Sequence, residues 1–192
     1  MPVPPPGLRP AAFIDRDGVI NKERDYVWRI QDFQLLPGAA QGLLTLQQAG
    51  YALVVVTNQA GIARGYYTEA DYALLTQHMV QLLSQSGVSL AGVYHCPHHP
   101  QAGLGAYKTD CSCRKPRPGM LMRAAADLGL RLDRSLIVGD KGSDLQAGRA
   151  AGVRWALLVE SGHATTEADR LYADASLADL AAAAAWVVGR NV

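Results

Sequence analysis

Short apolar runs alternate along this chain with stretches where apolar residues return every third or fourth position. The two periods separate strands from helices. Strands are expected at Ala11–Ile14, Ala52–Thr57, Gly92–Cys96, Ser135–Val138 and Trp155–Val159. The second of these, Ala-Leu-Val-Val-Val-Thr, is β-branched and carries no charge, the pattern of a strand covered on both faces. Helices are expected at Ala39–Ala49, Glu69–Ser86, Met120–Leu128, Ser143–Ala151 and Leu177–Trp186. Thr68 followed by Asp71, and Ser176 followed by Asp179, have the spacing of capping boxes. Pro118 sits where the first turn of a helix tolerates it.

Repeated strand–helix alternation predicts an α/β fold, a doubly wound parallel sheet with helices on both faces. One domain over residues 11–192 is expected, preceded by a flexible Pro-rich leader at residues 1–10. Two stretches break the alternation. Asn21–Leu36 is polar and aromatic, and Cys96–Pro118 is a long loop without a regular pattern. Irregular segments of that length inside a compact domain usually serve function. Both are too short to form a large cap, so an open site is expected.

Bulk composition mainly excludes. Eighteen basic residues against seventeen acidic ones leave the chain almost neutral, which argues against nucleic-acid or membrane-surface binding by charge. No apolar run reaches the ~20 residues of a membrane span. The leader has no signal-peptide core, so a cytoplasmic protein is expected, and a monomer.

Candidate chemistry gathers where strands end, which is where open α/β sheets bind ligands. Asp15-Arg16-Asp17-Gly18 follows the first strand. In an extended segment, residues two apart share a face, so Asp15 and Asp17 would present two carboxylates together. Such a pair suits an aspartyl nucleophile, an acid/base helper and a divalent cation such as magnesium; Asp and Gly also simply make bends. Thr57-Asn58-Gln59 offers a hydroxyl and two amides for phosphate oxygens. Arg114-Lys115 closes the long loop with two cations, and Gly139-Asp140-Lys141 ends the fourth strand with a carboxylate and a lysine.

The three cysteines are too few and too clustered for a disulfide framework. Cys96-Pro97-His98 and Cys111-Ser112-Cys113 supply soft thiolates and an imidazole in two close pairs. Cys96, His98, Cys111 and Cys113 therefore fit a closed, structural tetrahedral zinc site, with His99 a rival to His98. His78, His95 and His163 read as ordinary core or surface residues. Neither a Walker phosphate loop nor a dinucleotide-binding glycine motif is present.

With these motifs in order, the chain resembles the haloacid dehalogenase-type phosphatases. Asp15-Arg16-Asp17-Gly18 matches the first motif, Thr57 the second, Lys115 the third, and Gly139-Asp140 with Asp144 the fourth. Val19 departs from the threonine common there, at a non-catalytic position. The resemblance implies that Asp15 is the nucleophile and Asp17 the general acid/base, with Thr57 and Lys115 holding the phosphoryl oxygens. It also implies magnesium at Asp15, Asp140 and Asp17, the last through its main-chain carbonyl.

Within that superfamily, Thr57–Gly65, Cys96–Pro100, Cys111–Pro116 and Gly139–Lys141 resemble the heptose bisphosphate 7-phosphatases. A small sugar phosphate substrate is then implied, in the making of lipopolysaccharide core precursors. Contacts to it are implied from Glu23, Arg24, Asp25, Tyr26, Arg114 and Lys141. Histidinol-phosphate phosphatases share the zinc loop, and a phosphate-binding module without turnover is the alternative outside enzymes.

Overall fold

The computed structural model describes residues 9–190. Six parallel strands form one sheet in the order β3-β2-β1-β4-β5-β6: β1 Ala11–Ile14, β2 Ala52–Asn58, β3 Leu90–Cys96, β4 Leu136–Gly139, β5 Trp155–Val159 and β6 Ala175–Leu177. The chain runs outward from β1 to β3, then returns across the sheet to β4, leaving a switch point between β1 and β4. Ile14 pairs with Val55 on one side and with Val138 on the other.

Strand alternation divides the core in two. Ala12 and Ile14 face one side with Leu53, Val55, Leu136, Val138, Leu157 and Val159. A short α2 (Ala60–Ala63) follows β2, and that side is covered by α1 (Ala39–Gln48), α3 (Glu69–Gln85) and α7 (Leu180–Val188), which contribute Leu43, Leu46, Leu75, Met79, Leu83 and Val187. Ala11 and Phe13 face the other side with Val54, Val56, Ile137 and Leu158. There α4 (Gly119–Leu128) and α5 (Gly142–Ala151) supply Leu121, Ala124 and Leu145. The doubly wound α/β class is as expected.

The Thr68 capping box is present: Asp71 N–H donates to Thr68 Oγ1 at 3.1 Å, and Thr68 N–H donates to Asp71 Oδ2 at 2.8 Å. A second box caps α6 (Glu167–Arg170) from Thr166. The box expected at Ser176 is not formed. Ser176 lies in β6, and Asp179 caps α7 by accepting from Ala182 N–H at 2.8 Å. The last helix therefore begins at Leu180 rather than Leu177. Residues 175–177 instead extend the sheet along β5, pairing Leu157 with Ala175 and Val159 with Leu177.

Met1–Leu8 of the expected leader lie outside the described residues. Arg9 and Pro10 are already tied in: Arg9 O accepts from Arg131 N–H and Pro10 O from Ala52 N–H. The order of the domain therefore begins ahead of Ala11. Among the described residues, no helix is long and apolar enough to cross a membrane.

Candidate active site

The carboxyl ends of β1, β2 and β4 open into a pocket of about 520 Å³ lined by Asp15, Asp17, Thr57, Arg114, Lys115, Lys141 and Asp144, among others. Asp15 follows β1 directly, and its N–H still donates to Val138 O at 3.0 Å. Asp17 is not on a strand, contrary to the two-residue alternation expected from sequence. β1 stops at Ile14, and residues 16–21 form a tight turn in which Gly18 and Ile20 N–H bond to Asn21 O and Arg16 O. The turn brings both carboxylates into the pocket. Gly18 has φ +84°, and a Cβ there would lie 2.3 Å from Asp140 Oδ2, so both the turn and the packing require glycine.

Lys115 is the hub. Its Nζ lies 2.8 Å from Asp15 Oδ1, 2.7 Å from Asp144 Oδ1 and 2.8 Å from Val56 O, and the side chain is almost wholly buried. Burial works against its charge, but Asp144 and Asp15 raise its pKa above the usual lysine value. Burial pushes the Asp15 carboxyl up to about 6, while Lys115 pulls it down. A lysine shared between two buried carboxylates is what the loop Cys96–Pro118 delivers to the site.

The two amides expected to hold phosphate oxygens are engaged by the protein. Asn58 clasps the Lys115 main chain, donating to its carbonyl and accepting from its N–H at 3.1 Å each. Gln59 Nε2 donates to Asp17 Oδ2 at 3.0 Å and to Thr57 Oγ1 at 2.9 Å, while its Oε1 accepts from the Tyr67 hydroxyl. Asn58 and Gln59 line the pocket themselves and also position its other groups. Asp17 also accepts from Asn21 Nδ2 at 3.0 Å and from the buried guanidinium of Arg16.

Asp15, Asp140 and Asp144 bring one carboxylate oxygen each to within 4.8 Å of one another. Asp140 Oδ1 is buried and has no hydrogen-bond partner. An unpartnered buried carboxylate oxygen beside two further carboxylates fits a divalent oxygen-ligated cation. The Asp17 carboxylate is not in this cluster.

Of the rim residues, Glu23, Asp25 and Tyr26 line the pocket and Arg24 does not; its guanidinium donates to Gln34 Oε1 at 3.1 Å. Asp25 and Tyr26 both have positive φ, 49° and 68°. Tyr26 meets Tyr66 edge-on, with ring centroids 4.9 Å apart. Burial first, and then the nearby Asp17, raise the Glu23 carboxyl above its usual range.

Cys96, His98, Cys111 and Cys113 converge as expected, with one donor atom each within 4.8 Å of the others. The three sulfurs lie 3.1–3.4 Å apart, and His98 Nδ1 is 3.5 Å from Cys113 Sγ. His99 is not in this cluster; its Nδ1 accepts from the N–H groups of Gln101 and Ala102. Two thiols and an imidazole around a third buried thiol match a structural zinc donor set. Arg114 Nη1 donates to His98 O at 3.2 Å, so the loop of the cysteine–histidine cluster holds the arginine in the pocket lining.

Sequence reading missed three contributors. Arg16 is given no role of its own by the motif that contains it, yet it is buried. Asn21 stands in an irregular stretch, and His163 lies beyond every motif, yet it lines the pocket. Chain position gives no signal for the last.

Residues 112–189 match a family model described as HAD-hydrolase-like. The D-glycero-beta-D-manno-heptose-1,7-bisphosphate 7-phosphatase of Vibrio cholerae serotype O1 is 46% identical over 159 residues, 83% of this chain and 86% of that protein. A D-glycero-alpha-D-manno-heptose-1,7-bisphosphate 7-phosphatase of Photorhabdus laumondii is 45% identical over 156 residues, 81% of this chain and 85% of that protein. The crystal structure of D,D-heptose 1,7-bisphosphate phosphatase from B. bronchiseptica, complexed with magnesium and phosphate, superposes with a TM-score of 0.80. It is 32% identical and covers 94% of this chain and 99% of that one.

Proposed function

This chain belongs to the heptose-1,7-bisphosphate 7-phosphatase family of haloacid dehalogenase-like hydrolases, and on that premise we propose that it removes the 7-phosphate of D-glycero-D-manno-heptose 1,7-bisphosphate. This would be a cytoplasmic step in making the heptose precursor of lipopolysaccharide core. The observation that carries the proposal is the placement of Asp15 at the pocket floor, paired with Lys115 and two residues from a second, separately held carboxylate.

Asp15 attacks phosphorus, and the bond from phosphorus to the sugar oxygen breaks. Asp17, protonated, gives its proton to the departing alkoxide. In the second step Asp17, now a carboxylate, takes a proton from water as that water attacks phosphorus. The acyl phosphate opens, restoring the Asp15 carboxylate and releasing inorganic phosphate. Lys115, held between Asp15 and Asp144, would supply positive charge beside the phosphoryl group, and the Thr57 hydroxyl would hold one of its oxygens.

Asp15 and Asp140, with the main-chain carbonyl of Asp17, would hold magnesium. Bound there, it offsets negative charge on the transferring phosphoryl group. Zinc at Cys96, His98, Cys111 and Cys113 would be structural, with no open coordination position.

Arg114 and Lys141 line the pocket and would take the distal phosphate or sugar hydroxyls by charge-assisted bonds. Glu23 and Asp25 on the same rim are the observation favouring a second substrate, the cationic amine of histidinol phosphate. Phosphate release should be compared on both heptose bisphosphate anomers, histidinol phosphate and fructose bisphosphate. The heptose bisphosphates should give the highest kcat/KM; a higher value on histidinol phosphate would overturn the assignment.

A further inference from the structure

The turn that follows β5 bears on Asp140, although no motif includes it. Ser161 Oγ donates to Gly18 O at 2.8 Å, which fixes the turn against the Asp15–Gly18 segment. A Cβ on Gly162 would lie 2.1 Å from Asp140 Oδ2 and 2.7 Å from Gly18 Cα, so this backbone sits directly on the carboxylate. His163 then contributes twice to one oxygen. Its N–H donates to Asp140 Oδ2 at 3.0 Å, and its ring Nδ1 lies 2.7 Å from the same atom. An ionised carboxylate can only accept, so Nδ1 carries the hydrogen.

The two oxygens of Asp140 therefore differ. Oδ2 takes both bonds from His163, while Oδ1 is buried without a partner, on a carboxylate clustered with those of Asp15 and Asp144. A carboxylate anchored by one oxygen cannot rotate freely about its Cβ–Cγ bond. The anchored oxygen fixes where the other one points.

We infer that His163 is a positioning residue for the divalent cation: by holding Asp140 Oδ2 it presents Oδ1 to the metal. This rests on the proposed role of Asp140 in metal binding. Outer-shell partners of this kind typically change metal affinity by about 10–100-fold when removed. The His163 side chain is 40% exposed and belongs to neither core cluster, so its loss should leave the fold intact.

The test is manganese binding by the full, zinc-loaded chain, followed by the electron paramagnetic resonance signal of free Mn²⁺ without substrate. His163→Ala should weaken binding about tenfold, the lower end of that range because the main-chain N–H remains. His163→Asn, whose amide nitrogen can stand where Nδ1 stands, should bind close to wild type. Zinc content and thermal unfolding of both variants should match wild type. An Ala variant that binds as tightly as wild type would overturn the inference, as would an Asn variant as weak as Ala. A wild-type chain that binds no manganese would overturn both this inference and the metal reading beneath it.

Discussion

Arg16 wraps the residue that follows it: its Nη2 lies 2.8 Å from both carboxylate oxygens of Asp17, and its Nε lies 3.1 Å from Oδ1. The same Nη2 donates to Val27 O at 2.9 Å, tying the Asp17 carboxylate to the loop that carries Tyr26. An arginine fork fixes the plane of a carboxylate as well as its position. Asn21 and Gln59 donate to the same carboxylate, so Asp17 is held to one geometry before any substrate arrives.

Arg16→Met should therefore impair proton delivery more than phosphoryl capture. A positioned general acid contributes about 10²–10⁴-fold to rate, and most to a poor leaving group. In single turnovers, the variant should lose far more rate on an alkyl phosphate than on p-nitrophenyl phosphate, whose leaving group needs no proton. Equal losses on both would assign Arg16 to the scaffold alone.

Lys115 serves stability as well as chemistry. Lys115→Met leaves Asp15 and Asp144 buried and facing each other without their shared cation. Removing one partner of a buried ion pair costs about 3–5 kcal/mol. Urea unfolding should show a loss of that order, and magnesium should restore part of it. A variant as stable as wild type would contradict the hub role of this lysine.

Zinc should be found in the purified protein at one per chain without being added. Cys111→Ser should lower the zinc content and the midpoint of thermal unfolding. Because Arg114 is bonded to the carbonyl of His98, the variant should also raise KM for a bisphosphate. Reduced protein with no tightly bound zinc would contradict the assignment.

Arg114→Ala should raise KM for heptose bisphosphate far more than KM for a simple monophosphate ester. Arg114 lines the pocket without belonging to the Asp15–Lys115–Asp144 cluster, and would meet a second phosphate or sugar hydroxyls. Equal effects on both substrates would place Arg114 in the reaction centre instead of the recognition rim.

The site was legible where chemistry coincides with strand ends. Ala11–Ile14 and Trp155–Val159 form strands with the bounds their apolar runs indicate, and each strand end delivers the polar residues that follow it. The zinc quartet was legible from ligand type and spacing. What the pattern could not show was side-chain commitment. Asn58 and Gln59 look like phosphate ligands by residue type, but their partners lie 57 and 42 positions away, at Lys115 and Asp17. β6 was hidden because three residues are too few for a period. His163 was hidden because its partner is 23 residues back, across a strand.

The covalent role of Asp15 is tested most directly by phosphate release from the Asp15→Asn chain, with magnesium present and zinc content equal to wild type. The amide keeps the shape of the carboxylate but cannot attack phosphorus. Turnover of heptose bisphosphate should fall below about one hundredth of the wild-type rate. A variant that retains more than that, while folded and zinc-loaded, would contradict the aspartyl-phosphate mechanism.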